Sequence, residues 1–326
     1  MPGTLRPRLA LTLGDPAGIG PEVALRALAD ERVRAVARIV AIGPASLRPP
    51  QIPLVGGGGI RHAADVAWLD SGGPLQWNMG SVQAACGRAA LDALRAGHQL
   101  ASSAEVDALV TGPVSKEALH AAGERCEGQS ELLGRWCGVE RFEMVAVAGA
   151  LRVMLLTRHM PLREALDRVS GERVLDRLRL FDEALRRWGV RRPGIALAGL
   201  NPHAGEHGLL GREEIEVLEP AAARARAEGL DVRGPLSPDA VFLSALGGAH
   251  DGVLALYHDQ AFIPVKLAAR GTGLTVIAGL PYLRVSPAHG TAFDIAGRGL
   301  ASAENMVVAL VQAAAWARAA GPIPEH

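Results

Sequence analysis

The sequence predicts an α/β fold with a mostly parallel sheet, and three observations indicate it. Apolar runs rich in Leu, Val, Ile and Ala recur along the chain, and each ends abruptly in a cluster of Gly, Pro, Asp, Asn or His. A helical pattern often follows such a cluster. The 326 residues suffice for two domains or one large α/β unit. Buried strands that alternate with helices form a parallel sheet with helices on its faces.

Five segments carry this pattern of a strand followed by a polar stop. In chain order they are RLALTLGDPAGIGPEVALRAL (8–28), DALVTGPVSKEAL (107–119), RVMLLTRHMPLREALDRV (152–169), GIALAGLNPHAGEHG (194–208) and GVLALYHDQAFIPVKL (252–267). In each, the apolar half predicts a buried strand, and the polar cluster predicts a loop at its carboxyl end. Ala, Leu and Arg at helical spacings over 163–188 and 303–320 predict amphipathic helices that pack on the sheet.

Composition narrows the function classes. The 34 Lys and Arg balance the 34 Asp and Glu, so no basic field favours nucleic acid or an acidic membrane surface. The expected partners are small molecules or copies of the chain itself. Cys86, Cys126 and Cys137 form no CxxC motif, which predicts reduced thiols in a cytoplasmic protein. The early apolar run is too short for a secretion signal, and nothing approaches a membrane span.

Three of the polar stops contain a histidine: His159, His203 and His258. In open α/β sheets, ligands bind outside the carboxyl ends of the strands. Three neutral imidazoles that converge there can hold a divalent ion and leave positions open for a substrate oxygen. They form no local motif, and the alternative is that each histidine caps or hydrogen-bonds its own loop. Asp239 and Asp259 are candidates to orient such ligands or move a proton, with helix capping as the alternative for Asp239.

Five longer motifs then match a known family. They are GDPAGIGPE (14–22), VTGPVSKEAL (110–119), LNPHAGE (200–206), YHDQAFIPVK (257–266) and GLPYLRVSPAHGTAFDIAGRG (279–299). Together they resemble the PdxA family, the 4-hydroxythreonine-4-phosphate dehydrogenases of vitamin B6 biosynthesis. The last motif is also similar to the nucleotide-binding loop of isocitrate and isopropylmalate dehydrogenases. The resemblance covers nearly the whole chain, in order.

This resemblance implies an isopropylmalate-dehydrogenase-like α/β fold of three layers, α/β/α, with two subdomains and a cleft between them. Subdomain 1 is expected at approximately 1–125 plus 285–326 and would carry the cofactor loop. Subdomain 2 is expected at approximately 126–284 and would carry the metal and the dimer interface.

The resemblance also implies a set of site residues. The metal ligands are His159, His203 and His258, shared across a homodimer interface, and zinc, magnesium or cobalt suits them. Lys266 and Arg284 hold the phosphate of the substrate, since a lysine point charge and an arginine fork suit that anion. Further substrate contacts are Gln129, Ser130 and Thr275. Asp239, Asp259 and Lys266 are the catalytic candidates. The loop for NAD or NADP comprises His289, Gly290, Thr291, Ala292 and Asp294.

The implied reaction is oxidation of the secondary hydroxyl of 4-phosphohydroxy-L-threonine, assisted by the metal, with NAD or NADP as hydride acceptor. The product, 2-amino-3-oxo-4-(phosphohydroxy)butanoate, decarboxylates to 3-amino-2-oxopropyl phosphate. Two positions depart from the family pattern. Gln129 stands where a histidine is usual, and Thr275 stands where an asparagine is usual.

These departures leave the substrate open among 4-phosphothreonate, another hydroxy acid and a cis-dihydrodiol. Two other classes remain as alternatives. An acyl-phosphate transferase on a related fold would not bind a nicotinamide. A non-catalytic phosphometabolite-binding protein would not reduce NAD in a metal-dependent way.

Overall fold

The computed structural model describes residues 6–320. Those residues form two compact units. Unit 1 comprises 6–140 and 280–320, and unit 2 comprises 141–279. The expected boundaries were at 125 and 285. The predicted α/β architecture is confirmed, because strands and helices alternate through both units.

The strands, in chain order, begin and end as follows: β1 (Arg8–Thr12), β2 (Arg38–Gly43), β3 (Val66–Asp70), β4 (Ala108–Thr111), β5 (Glu143–Ala148), β6 (Leu151–Leu155), β7 (Gly194–Ala198), β8 (Asp231–Leu236), β9 (Gly252–Ala255), β10 (Leu274–Ala278) and β11 (Leu283–Pro287). In unit 1 the order is β3-β2-β1-β4-β11, and every pair is parallel. In unit 2 the order is β10-β5-β6-β9-β7-β8. There β5 is antiparallel to β10 and β6, whereas β6, β9, β7 and β8 run parallel.

The α-helices are α1 (Gly20–Ala29), α2 (Glu31–Val36), α3 (Ala84–Ser102), α4 (Lys116–Ala121), α5 (Gln129–Cys137), α6 (Leu162–Asp167), α7 (Gly171–Arg187), α8 (Glu219–Ala227), α9 (Val241–Leu246), α10 (His258–Ala269) and α11 (Glu304–Ala320). In unit 1, α3 packs on β1 and β2, and α11 packs on β4 and β11. In unit 2, α9 and α10 cover the central strands β6 and β9, with Val153, Val253 and Val265 in the shared core. Most strands are apolar and buried, as expected where helices cover both faces of a sheet, and β8 at the edge of unit 2 is the least buried.

One predicted helix is wrong in its extent. The pattern at 163–188 forms two helices, α6 and α7, which are separated at residues 168–170. Ser170 has an extended backbone, and its side chain accepts a hydrogen bond from the Arg173 N–H, so a new helix begins there. The helix predicted at 303–320 is confirmed as α11. Within residues 6–320, every helix is too short or too polar to span a bilayer.

Candidate active site

The three predicted metal ligands follow three adjacent parallel strands of unit 2. His159 lies four residues after the end of β6, His203 lies in the turn 202–208 after β7, and His258 is the first residue of α10, after β9. Strand β9 pairs with β6 on one side and with β7 on the other. The carboxyl ends of all three strands therefore lie at one edge of the sheet, which is where ligands bind in such folds.

Two of these histidines are in contact. The ring centroids of His159 and His258 lie 5.0 Å apart. Two imidazoles bound to one zinc ion at roughly 2.1 Å per nitrogen have ring centres about 5 Å apart, so this spacing fits a shared ion. The Nδ1 atom of His258 lies 2.7 Å from Oδ1 of Asp259, which leaves Nε2 for a ligand. Within residues 6–320 of one chain, no three His, Cys, Asp or Glu side chains are grouped closely enough to hold a metal ion.

His203 lies on an unusual left-handed turn. Its φ is +51°, and the next four residues also have positive φ. A left-handed backbone costs roughly 1–2 kcal/mol for each non-glycine residue, so the surroundings must hold it. Buried Glu214 does this just before the turn, because its carboxylate accepts hydrogen bonds from the Leu200 and Asn201 N–H groups and from the Asn201 side chain. Burial alone would raise the pKa of Glu214, but these hydrogen bonds lower it overall.

Asp239 lies near His203. The Ser237 hydroxyl donates a hydrogen bond of 2.5 Å to Oδ1 of Asp239 and lowers the pKa of that carboxyl, and the neighbouring His203 lowers it further. Asp239 is therefore ionised at neutral pH. The structure thus places one carboxylate in direct contact with a predicted ligand, Asp259 at 2.7 Å from His258, while Asp239 interacts with the charge of His203.

The other predicted residues of unit 2 differ in exposure. Thr275 is buried in β10, opposite Ala146 of β5. Lys266 lies exposed on α10, with Nζ 5.9 Å from the ring centre of Phe262. The apolar residues around Lys266 in the sequence suggest a buried segment, but Ile263 and Leu267 are exposed. The side chain of Lys266 is consequently free to meet a ligand or a second chain.

In unit 1, Arg284 is a buried cation with spare hydrogen-bonding capacity. It is 3% exposed on β11, and its Nη2 donates to the Thr111 hydroxyl at 2.6 Å. Among the described residues, nothing accepts a hydrogen bond from its Nε. Burial lowers the pKa of the guanidinium to about 10, against a smaller opposing effect of Tyr282 and Glu131. Arg284 thus stays charged at pH 7, and an anion could take its free donor.

Gln129 and Ser130 begin helix α5 near the same strand end. The Gln129 Nε2 donates to the Gly112 carbonyl at 3.1 Å, directly after β4, while Arg284 binds Thr111 at the end of β4. Ser130 is buried. The Gln129 Oε1 is buried without a hydrogen-bond donor in the described part of the chain. Three predicted substrate residues therefore gather around the end of β4.

The predicted cofactor loop packs on the GDPAGIG segment. The Thr291 carbonyl accepts a hydrogen bond from the Ile19 N–H, and a Cβ on Gly18 would lie 2.9 Å from the Thr291 Cβ, so only glycine fits there. A Cβ on Gly290 would meet nothing within 4 Å. The remaining loop positions are the half-buried His289 and Ala292 and the exposed Asp294. The buried Nε2 of His289 has no partner among residues 6–320, so the loop offers open space and a spare polar atom to a dinucleotide.

Sequence reasoning assigned no role to three buried polar residues near these sites. Asp15 is fully buried, and burial raises the pKa of its carboxyl, while its Oδ1 accepts from the Ala17 N–H at 2.9 Å. Thr157 and Gln260 are buried between the histidine-bearing strand ends. Thr157 and Gln260 could have been found from the sequence, because each is a polar residue in an apolar segment, two positions from a candidate histidine.

Comparison with known proteins decides the family. The family model described as pyridoxal phosphate biosynthetic protein PdxA matches residues 26–313. The chain belongs to the PdxA family. The resemblance inferred from the five motifs is therefore confirmed. Among PdxA relatives, the chain is 40% identical over 334 residues to a 4-hydroxythreonine-4-phosphate dehydrogenase of Geobacter metallireducens, with 98% of each chain covered.

Two further PdxA relatives are similar over nearly their whole length. A D-threonate 4-phosphate dehydrogenase of Salmonella typhimurium is 40% identical over 318 residues, which cover 93% of this chain and 96% of the relative. The crystal structure of a 4-hydroxythreonine-4-phosphate dehydrogenase from Klebsiella pneumoniae matches with a TM-score of 0.86 and 38% identity, covering 95% of this chain and 99% of the other. The fold is therefore that of a solved PdxA structure.

Proposed function

We propose that this protein is a metal-dependent, NAD- or NADP-dependent dehydrogenase that oxidises 4-phosphohydroxy-L-threonine in pyridoxal 5'-phosphate biosynthesis. The observation that carries the proposal is the placement of His159, His203 and His258 on three adjacent parallel strand ends. The relative from Geobacter metallireducens, which bears the name of this activity, supports the substrate. The protein would act in the cytoplasm, as its cysteine usage suggests.

The donor set suits a divalent ion. His159 and His258 are 5.0 Å apart between ring centres, and Asp259 holds the Nδ1 side of His258. A carboxylate bound to the other ring nitrogen is the usual support for a histidine that ligates a metal. His203, beside ionised Asp239, would supply the third imidazole. In the dimer that the family resemblance implies, the three ligands of one site come from both chains.

The residues of unit 1 suit an anionic substrate and a dinucleotide. The buried Arg284 would give its free Nε–H to a phosphate oxygen, and Gln129 and Ser130 would add contacts near the same strand end. The family resemblance adds Lys266 and Thr275, both in unit 2, to the residues proposed to bind substrate. The loop His289–Asp294, open at Gly290, would receive NAD or NADP.

When bound, the metal ion would polarise a substrate hydroxyl and stabilise negative charge on oxygen, and the nicotinamide would accept hydride. The chain's own residues supply binding, orientation and proton control. Asp259 keeps the Nδ1 proton on His258, so that Nε2 faces the site. Asp239 lies beside His203 as an ionised base that can accept a proton. Arg284 would anchor the phosphate away from the reacting carbon, so that its binding energy would fix the position of the substrate.

A second copy of the chain is the proposed partner. Helices α9 and α10 expose Leu243, Leu246, Ile263 and Leu267, at 74%, 40%, 61% and 73% respectively. Contiguous exposed apolar side chains are typical of interaction sites. Helix α10 also carries His258 at its first residue, so a chain seated on this apolar face would lie beside the proposed metal site. This supports a homodimer whose active sites draw on both chains.

One observation favours a second substrate. Gln129 replaces the usual histidine with a neutral amide, and its Oε1 has no donor within the described chain. The Salmonella typhimurium relative is named for D-threonate 4-phosphate, which carries a hydroxyl where 4-phosphohydroxy-L-threonine carries an ammonium group. A neutral amide with a free acceptor suits a hydroxyl donor as well as an ammonium donor. D-threonate 4-phosphate is therefore the alternative substrate.

The experiment is a spectrophotometric comparison of the two substrates. Purified dimer with NAD or NADP is mixed with each phosphate ester, and absorbance at 340 nm is followed with a chelator and after addition of Zn²⁺, Mg²⁺ or Co²⁺. The proposal expects metal-dependent NADH or NADPH formation with 4-phosphohydroxy-L-threonine. Turnover only with D-threonate 4-phosphate would establish the alternative. Failure of both substrates with folded, metal-loaded protein would refute both.

A further inference from the structure

Two buried side chains join the three histidine-bearing strand ends of unit 2. The Thr157 hydroxyl, beyond β6, donates to the Leu256 carbonyl, beyond β9, at 2.7 Å. The Gln260 side chain accepts from the Leu256 N–H at 2.7 Å and donates to the Gly199 carbonyl, beyond β7, also at 2.7 Å. Gln260 thus bonds to the backbones that follow β9 and β7 with both ends of its amide.

These bridges take over where the sheet's own hydrogen bonds stop. The ladder between β7 and β9 ends at the pair Leu197 and Leu254, and the ladder between β6 and β9 ends at Leu155 and Ala255. Beyond those pairs, the chains are free to diverge into their loops. The side-chain bridges extend the pairing by one or two residues, toward the histidines.

The bridged backbone lies very near each proposed ligand. Thr157 is two residues before His159, Leu256 is two residues before His258, and Gly199 is four residues before His203. A shift of Leu256 relative to Gly199 would therefore change the spacing between His258 and His203. Gln260 opposes that shift at both ends of its amide.

The environment of Gln260 makes its bridge rigid. Gln260 is 8% exposed and Leu256 is fully buried, so water cannot replace the lost hydrogen bonds. A buried N–H and a buried carbonyl left without partners would each bear their full desolvation cost. Both polar ends of Gln260 are occupied by backbone atoms, so Gln260 is unavailable as a ligand itself.

We propose that Gln260 is a positioning residue for the metal site, which fixes the strand end that carries His258 against the strand end that carries His203. Thr157 does the same for His159. This inference rests on the proposed metal site. Gln260, the amide of the YHDQ motif, would align the histidine ligands through the backbone, without contacting their rings.

The test measures metal affinity rather than turnover. Full-length, chelator-treated dimer is titrated with Zn²⁺ by calorimetry, and Co²⁺ loading is followed by its visible absorption spectrum. Gln260→Met preserves size and removes both hydrogen bonds, whereas Gln260→Glu retains the acceptor for Leu256 and removes the donor to Gly199. Thr157→Val and Thr157→Ser form a matched pair, because serine keeps the hydroxyl. Val174→Ala, a core change in α7 of the same unit, is the control for lost stability.

For Gln260→Met we expect a Kd for Zn²⁺ raised roughly 10- to 100-fold, the usual effect of losing an outer support of a metal site. The Co²⁺ spectrum should change as well, while Gln260→Glu should give a smaller increase. Thr157→Val should weaken binding and Thr157→Ser should restore it. Val174→Ala should lower Tm without changing the Kd or the spectrum. If Gln260→Met does not fold, the Kd for Zn²⁺ of Gln260→Glu is compared with that of the wild type instead.

The outcomes separate the two proposals. A wild-type protein that binds no divalent ion would overturn both the metal site and this inference. A wild-type protein that binds the ion, with Gln260→Met or Gln260→Glu showing the same Kd and spectrum, would overturn the inference alone. An equal loss of affinity in Val174→Ala would also overturn it, because general destabilisation would then account for the effect.

Discussion

His159 and His203 lie exposed at the strand ends of unit 2, whereas Arg284 lies almost fully buried in unit 1. In the proposed metal site, buried Gln260 and Glu214 bind the backbone just before His203 and not its ring. Arg284 is held directly, by Thr111, and has a donor to spare. The proposed ion site is therefore held through its backbone, whereas the proposed anion site has a buried cation with an unused hydrogen-bond donor.

The largest expected effect comes from removing a histidine. His203→Ala should lower turnover by at least about a thousandfold, because a metal ion contributes several kcal/mol of transition-state stabilisation. The matched control is His207→Ala, since His207 lies in the same left-handed turn with a φ of +58°. Steady-state rates and bound metal per chain are the measurements. Equal losses in both variants would attribute the effect to the turn and not to a ligand.

The next prediction tests whether the proposed metal site, formed by His159, His203 and His258, needs a second chain. The double change Leu243→Asp and Leu267→Asp places charges on the apolar face, where burial would be costly. We expect monomers in sedimentation velocity and a loss of turnover of roughly a hundredfold or more. Leu75→Asp, at an even more exposed leucine in unit 1, is the control and should leave both unchanged. A fully active monomer would contradict an active site shared between chains.

A third prediction tests whether Arg284 binds the phosphate of the substrate. Arg284→Met should raise KM for the phosphorylated substrate roughly 10- to 100-fold, because hydrogen bonds to charged groups contribute about 1.5–3 kcal/mol. Arg284→Lys keeps the charge without the fork and should lie between Arg284→Met and the wild type. Binding of Zn²⁺, measured by calorimetry, should not change in either variant. An unaltered KM would mean that the phosphate is held elsewhere.

The smallest expected effect concerns Gln129. Gln129→His introduces a side chain that becomes a cation below pH of about 6.5. KM for the phosphorylated substrate should then fall roughly fivefold between pH 8 and pH 6, beyond any pH dependence of the wild type. Gln129→Asn, which stays neutral, should show no added dependence. If the ratio of the KM values of Gln129→His and the wild type did not change with pH, residue 129 would not lie near the negative charge of the substrate.

The positions of the three histidines on the fold could be predicted from the sequence, whereas the surroundings of Arg284 could not. Strands of a parallel sheet end at one edge, so a histidine after each of three apolar runs could be placed without coordinates. The neighbourhood of Arg284 depends on pairing between β4 and β11, which are far apart in the chain. The break between α6 and α7 was missed because one apolar periodicity continues through Ser170.

Lys266 and Gln260 show how the local pattern misleads. Both lie in one apolar segment, but Ile263 and Leu267 near Lys266 are exposed, and they belong to the apolar face proposed for a second chain. Gln260 is buried, and its partners Leu256 and Gly199 lie on two strands. The five positive φ values from His203 to His207 likewise could not be predicted from the local pattern, and Glu214, a residue outside the turn, holds the backbone just before them.

The central claim is that turnover requires an ion held by the strand-end histidines. The most direct measurement titrates chelator-treated protein with Zn²⁺ or Co²⁺ in the presence of NAD or NADP and phosphorylated substrate, while absorbance at 340 nm is recorded. The account predicts no turnover without metal and a rise that saturates at about one ion per active site. Full turnover in the chelated protein, before any metal is added, would contradict it.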